Sequence, residues 1–147
     1  MPVFHQIEAL VVDRDITFGD LAGTIEVFTS AYFGKDFESR LRPSYFPFTE
    51  PSAEMDIAFT KRDNVIKVGE GDDWLEILGC GMVNSKVLQN CNIDSSKHQG
   101  FAFGMGIERL SMLKYGITDL RTFFESDFRW LSHYGFNPFD LTSSSGV

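Results

Sequence analysis

Arg109 closes a glycine-rich run, Gly100-Phe101-Ala102-Phe103-Gly104-Met105-Gly106-Ile107-Glu108-Arg109-Leu110. Glycines let a ligand or a neighbouring strand approach the backbone closely. An arginine on the first turn of a following helix can offer a forked pair of donors to phosphate oxygens. From spacing alone, pairing with a carboxylate on the helix surface is the plainer use. Gln6 and Glu8 stand two apart, so on a strand they share a face. An amide and a carboxylate aimed the same way can hold an ammonium group, or simply form the polar face of a half-buried strand. Phe46 and Phe48 also share a face in an extended reading, with Pro47 between them. Proline donates nothing to a ladder, which puts this strand at an edge or a bulge. Two Phe edges can receive a third ring, or pack in a core. Glu50 and Glu76 are carboxylates of the kind magnesium takes together with phosphates and water, or ion-paired surface groups.

Other chemistries fit the residues less well. Gly79-Cys80-Gly81 and Gly104-Met105-Gly106 lack the third glycine of a dinucleotide fingerprint, because Asn84 and Arg109 stand at that offset. His5 alternates away from Gln6 and Glu8, so it reads as a packed or hydrogen-bonded histidine rather than a base. No Ser-His-Asp arrangement is legible, and Cys80 reads as a wall residue rather than a nucleophile. Cys80 and Cys91 lack metal-ligand spacing, and two cysteines make no disulfide framework. The net charge of -8 argues against this chain being the main grip on nucleic acid. With 43 % apolar residues the composition is globular, and no apolar run reaches the length of a membrane span. The N-terminus does not have the form of a secretory signal.

The elements that must position these groups follow from periodicity. Residues 3–14 read as a strand, and Thr17 opens a helix that Gly34 ends. Phe18, Leu21, Ile25, Phe28 and Tyr32 form its apolar face, and Asp20 suits its first turn. Residues 38–46 and 53–60 read as strands, and 61–73 as a polar hairpin loop. Residues 74–83 form a buried strand, and Asn84 caps a short helix to Cys91. Gly100–Gly106 is a strand that passes into a helix over Ile107–Tyr115, followed by a turn from Thr118 and a helix over Glu125–Tyr134. The expected fold is α+β, an antiparallel sheet flanked by helices over residues 1–137, with a mobile tail at 138–147. The first strand has no visible hairpin partner.

Gly-x-Gly-x-Glu-Arg-Leu, at Gly104 to Leu110, resembles motif 3 of the class II aminoacyl-tRNA synthetases, and the longer run is similar to its phenylalanyl version. Phe4-His5-Gln6-Ile7-Glu8 resembles the second half of motif 2. Arg42 to Pro51 resembles the substrate-side strand, and Trp74 to Val83 the strand before motif 3. The match runs from about residue 2 to about residue 134 in one register, and the bacterial α-subunit type fits best. The resemblance implies activation of phenylalanine with ATP and its transfer to tRNA. It implies that Gln6 and Glu8 hold the α-amino group, and that Phe46, Phe48, Cys80, Ala102 and Gly104 shape the amino-acid pocket. Ala102 would form the floor at the para position. It further implies that Arg109 is the catalytic group on ATP, that Glu76 belongs to the ATP site, and that Glu50 and Glu76 bind Mg2+.

The resemblance also implies a β subunit partner, in an assembly of two α and two β chains, and a cytoplasmic location. Phenylalanine is the small-molecule partner, and tRNA is expected to bind through regions mostly outside this chain. Motif 1, the motif 2 arginine and the tRNA-binding arm have no counterpart here, so the chain alone is expected to be inactive and prone to self-association. Two other uses fit the same residues: an amino-acid or adenylate binding module without ligase activity, or a structural piece completing a complex with the β subunit.

Overall fold

The computed structural model describes residues 3–34, 38–62, 65–69 and 71–135. The expected tail at 138–147 lies outside the described residues. Among these residues six strands form one antiparallel sheet: β1 (Gln6–Asp13), β2 (Ser39–Phe46), β3 (Thr49–Arg62), β4 (Val65–Val68), β5 (Asp73–Val83) and β6 (Gln99–Gly106). Their order is β1-β6-β5-β3-β2, with β4 pairing β3 off this path. The helices are α1 (Phe18–Phe33), α2 (Ser85–Asn90), α3 (Ile107–Tyr115) and α4 (Phe128–Tyr134), with a 3-10 turn at Leu120–Phe123. The α+β expectation therefore holds. Among the described residues no helix is long and apolar enough to cross a membrane.

Helix α1 starts and stops where its end residues dictate. The Thr17 hydroxyl accepts from the Asp20 N–H at 3.2 Å, and the Asp20 carboxylate accepts from the Thr17 N–H at 2.8 Å. This reciprocal pair satisfies two amides that the helix itself cannot. Gly34 ends the helix at φ 73, a left-handed conformation that suits glycine. The buried Leu21 and Ile25 lay this helix on the sheet, against a core that includes Ile57, Ile77, Leu78 and Met105.

Three elements differ from expectation. First, β1 has a partner: it runs along β6 over its full length, from Gln6↔Gly106 to Asp13↔Gln99. Strands so far apart in sequence leave no hairpin signal, which is why this pairing was not legible. Second, the 61–73 stretch contains β4, which folds back on Phe59–Arg62. Its Val, Ile and Val suit a strand, and Val68 is buried, while the surrounding polar residues mask it. Third, β3 extends through Pro51 to Thr49, and a register shift between Thr49 and Ser52 accommodates a residue with no N–H to give. The later helix boundaries also shift. Asp119 rather than Thr118 caps the 3-10 turn, and Asp127 starts α4, its carboxylate accepting from the Arg129 N–H at 2.8 Å.

Asp56 ties edge strand β2 to the centre of the sheet. It is 3 % exposed, and it accepts from Arg40 Nε at 3.0 Å and from Arg42 Nε at 3.3 Å. The Arg40 guanidinium lies 4.0 Å from the centre of the Trp74 ring, adding a cation–π contact. Burial would push the Asp56 carboxyl up, but the two arginines outweigh it and hold the group below its usual value.

Candidate active site

The sheet carries a pocket of about 450 Å³ that gathers residues from β1, β2, β3, β5, β6, α3, the β2–β3 turn and the 3-10 turn. Of the residues singled out in the sequence, Gln6, Glu8, Phe46, Phe48, Glu76, Cys80, Ala102, Gly104 and Arg109 line it. Glu50 does not line this pocket; it is an exposed residue of β3. The shift between Thr49 and Ser52 breaks the alternation that would have placed Glu50 on the same face as Glu54.

One part of the pocket is polar. Gln6 and Glu8 reach it from β1 and pair across the ladder with Gly106 and Gly104. A Cβ on Gly104 would lie 2.8 Å from the Glu8 carboxylate oxygen, so only glycine leaves Glu8 its place. An amide and a carboxylate presented together can accept the hydrogens of an ammonium group.

The aromatic part has a different origin from the one expected. Pro47 and Phe48 form the turn between β2 and β3, so Phe46 ends a strand and Phe48 lies in the turn, rather than both alternating along one strand. The rings still stack, with centroids 6.0 Å apart and planes inclined by 15°. Behind Phe46 stands Gly79, where a Cβ would come within 2.7 Å of the ring. Cys80 is buried in the same wall, and burial pushes its thiol up to about 11. A thiol of that kind stays protonated at neutral pH and is a poor nucleophile.

Arg109 occupies the first turn of α3, as the sequence suggested. Its Nη1 donates to the Glu76 carbonyl oxygen at 2.7 Å and to the Glu76 carboxylate at 3.3 Å. One nitrogen of the fork thus anchors the side chain on β5. Among the described pocket residues Arg109 is the only permanently charged cation, which makes it the natural anchor for an anionic group. Glu76 also faces the pocket, and a single carboxylate there fits the sparse protein ligation that magnesium takes when phosphates and water supply the remainder. No group of three or more His, Cys, Asp or Glu among the described residues is arranged to hold a metal alone.

Glu54, Thr49 and Glu108 line the pocket and were not singled out from sequence. Glu54 is held by Arg42 Nη2 at 2.5 Å and Ser44 Oγ at 2.8 Å. Its signal was the alternation of Arg42 and Ser44 on the facing strand, readable only once the β2–β3 register is known. Glu108 is buried and bonded to His5, whose ring Nδ1 lies 2.5 Å from its carboxylate. His5 is thus a hydrogen-bonded residue, as its alternation implied.

The family model described as tRNA synthetases class II core domain (F) matches residues 1–134. The chain is 58 % identical over 146 residues, 99 % of its length, to a phenylalanine–tRNA ligase alpha subunit of Rhodospirillum rubrum. It is 60 % identical over 141 residues to one of Rhodospirillum centenum, and 57 % identical over 143 residues to one of Beijerinckia indica. These alignments take in 95 % and 97 % of the chain. The chain spans 39–41 % of the length of these relatives.

Proposed function

Because the chain belongs to the class II tRNA synthetase core-domain family, we propose that its pocket is the phenylalanine- and ATP-binding part of a phenylalanine–tRNA ligase α subunit. The observation that carries this reading is one cavity joining an amide–carboxylate pair, a stacked Phe pair and an arginine. In this reading Gln6 and Glu8 hold the α-ammonium of phenylalanine, and its ring lies against Phe46 and Phe48 over Ala102. Gly104 leaves room for Glu8 to do so, and Cys80 closes the wall.

In the proposed reaction a carboxylate oxygen of the amino acid attacks the α-phosphorus of ATP. The bond to the bridging oxygen breaks, and pyrophosphate leaves with its electron pair. A terminal hydroxyl of tRNA then takes the acyl group and releases AMP. The first step needs placement and charge neutralisation more than proton transfer. Arg109 supplies a fixed cation for the γ-phosphate, held by its bonds to Glu76. Glu76 would hold Mg2+, which would add charge neutralisation on the phosphates; Glu50, outside the pocket, takes no part in this reading. The same reading includes a β subunit, an assembly of two α and two β chains, work in the cytoplasm, and tRNA held largely by segments other than these residues.

Tyrosine would have to bury its hydroxyl in an apolar slot, at roughly 1–3 kcal/mol if unpaired. Titration calorimetry tests the pocket. Heat with phenylalanine and at least about tenfold weaker uptake of tyrosine are expected. Equal affinity for both, or for neither, would refute the assignment.

A further inference from the structure

Resting on that reading of the pocket, we infer that Glu108 is a positioning residue: its carboxylate clamps the entry of β1 to the first turn of α3 and so sets Gln6 and Glu8 relative to Arg109. Both Glu108 oxygens accept from the His5 backbone N–H, at 2.9 and 3.1 Å, and one also meets the His5 ring Nδ1 at 2.5 Å. The connection is doubled, because the His5 carbonyl oxygen accepts from the Ile107 N–H at 2.9 Å. The residue after His5 is Gln6, and the residue after Glu108 is Arg109. One short bonded bridge, spanning 103 residues of sequence, therefore joins the two parts of the pocket.

The two sides of the bridge are unequally held. Helix α3 is fixed by Leu110 and Leu113 in the core and by Arg109 on Glu76. Strand β1 is an edge strand paired with β6 alone among the described strands, and Ile7, Leu10 and Val11 are exposed. A buried, ionised acceptor with several donors is a strong local tie. Burial works to raise the Glu108 carboxyl, yet the His5 donors outweigh it and hold the group below its usual value. Loss of the carboxylate should therefore displace β1 and leave α3 where it is. The strand carries the ammonium-binding pair, so amino-acid affinity is the property that falls.

The test compares the unaltered chain with Glu108→Ala and Glu108→Gln by amide hydrogen exchange and by phenylalanine titration at a temperature where each remains folded. In Glu108→Ala the His5 and Ile107 amides should exchange at least about tenfold faster, and phenylalanine should bind about tenfold more weakly, the scale of one lost charge-assisted hydrogen bond. The Arg109 guanidinium resonances should stay in place. Glu108→Gln keeps an acceptor for the His5 N–H and should recover most of both losses. A residue that only stabilises the fold would lower the melting temperature without changing affinity in the folded protein. Unchanged exchange at His5 and Ile107, or phenylalanine affinity within about twofold of the unaltered chain, would overturn the inference. If Glu108→Ala does not fold, Glu108→Gln carries the comparison, with about threefold losses expected and none overturning it. If the unaltered chain takes up no phenylalanine, the functional reading fails instead, and exchange at His5 and Ile107 alone decides whether the carboxylate holds β1.

Discussion

Replacing Gly79 with alanine should damage the pocket more than the fold. The added Cβ would lie 2.7 Å from Phe46 Cζ and 3.1 Å from Cε2. Ordinary carbon contacts need about 3.5–4.0 Å, so the ring must retreat by about 1 Å. It can do so, because Phe46 is only half-buried and its stacking partner Phe48 is 56 % exposed. The overpacking cost should therefore fall near the low end, about 1 kcal/mol, partly offset by the stiffer unfolded chain that alanine gives. A substrate ring resting on Phe46 would lose much of an aromatic contact of about 0.5–1.5 kcal/mol together with some buried area. Phenylalanine affinity should fall about five- to tenfold. Gly81→Ala supplies the contrast. There the Cβ would meet the Pro51 carbonyl oxygen at 2.6 Å and Thr49 Cβ at 2.7 Å, so strands β3 and β5 would have to part. That should remove roughly 2–3 kcal/mol of stability. Urea unfolding and phenylalanine titration on both variants separate the two effects. Full phenylalanine affinity in Gly79→Ala, or a stability loss as large as that of Gly81→Ala, would refute this account.

Asp56→Asn should destabilise the chain by roughly 1–2 kcal/mol in urea unfolding, less than for a wholly buried pair because Arg40 and Arg42 remain half in water. The folded Asp56 carboxyl titrates below its unfolded value. Its contribution is therefore complete above about pH 4 and is lost as pH falls through the folded value, so Asp56→Asn should flatten the acid limb of the stability curve. A disulfide-exchange reagent at pH 8 should label the exposed Cys91 promptly and the buried Cys80 only as the chain unfolds; rapid labelling of both would contradict the wall described here. Arg109→Lys keeps the charge but loses the fork, one nitrogen of which holds Glu76, so ATP affinity should drop about tenfold while phenylalanine affinity holds, as read by separate titrations.

What was legible in the sequence was local chemistry. Thr17, Asp20 and Gly34 carry their own instructions for starting and stopping a helix, and the structure obeys them. Gly104 to Arg109 likewise prescribes a strand, a close approach and a helix start within a few residues. Register was not legible. Nothing near Gln6 says that it will lie opposite Gly106, and nothing near Glu54 says that Arg42 will reach it. Glu54 and Glu108 were missed because each is a single carboxylate whose place in the wall depends on a strand elsewhere. Glu50 was picked out by its neighbours, but the bulge beside it decides its face, and bulges leave little trace in composition. The turn at Pro47 and Phe48 shows the converse: the ring pair was found although its backbone was misjudged, because both extended and hairpin geometry bring the rings together.

The sheet order carries a consequence in time. Among the described strands, β1 is earliest in sequence and its partner β6 is the latest. At about 5–20 residues per second, a ribosome takes roughly 5–20 s to supply that partner after β1 emerges. Throughout that interval no other described strand offers a ladder to this strand, which bears Ile7, Leu10 and Val11. Nascent chains stalled before Gln99 would hold most of the core yet none of the Gln6–Arg109 geometry, so a chaperone guarding this strand would act before the pocket exists.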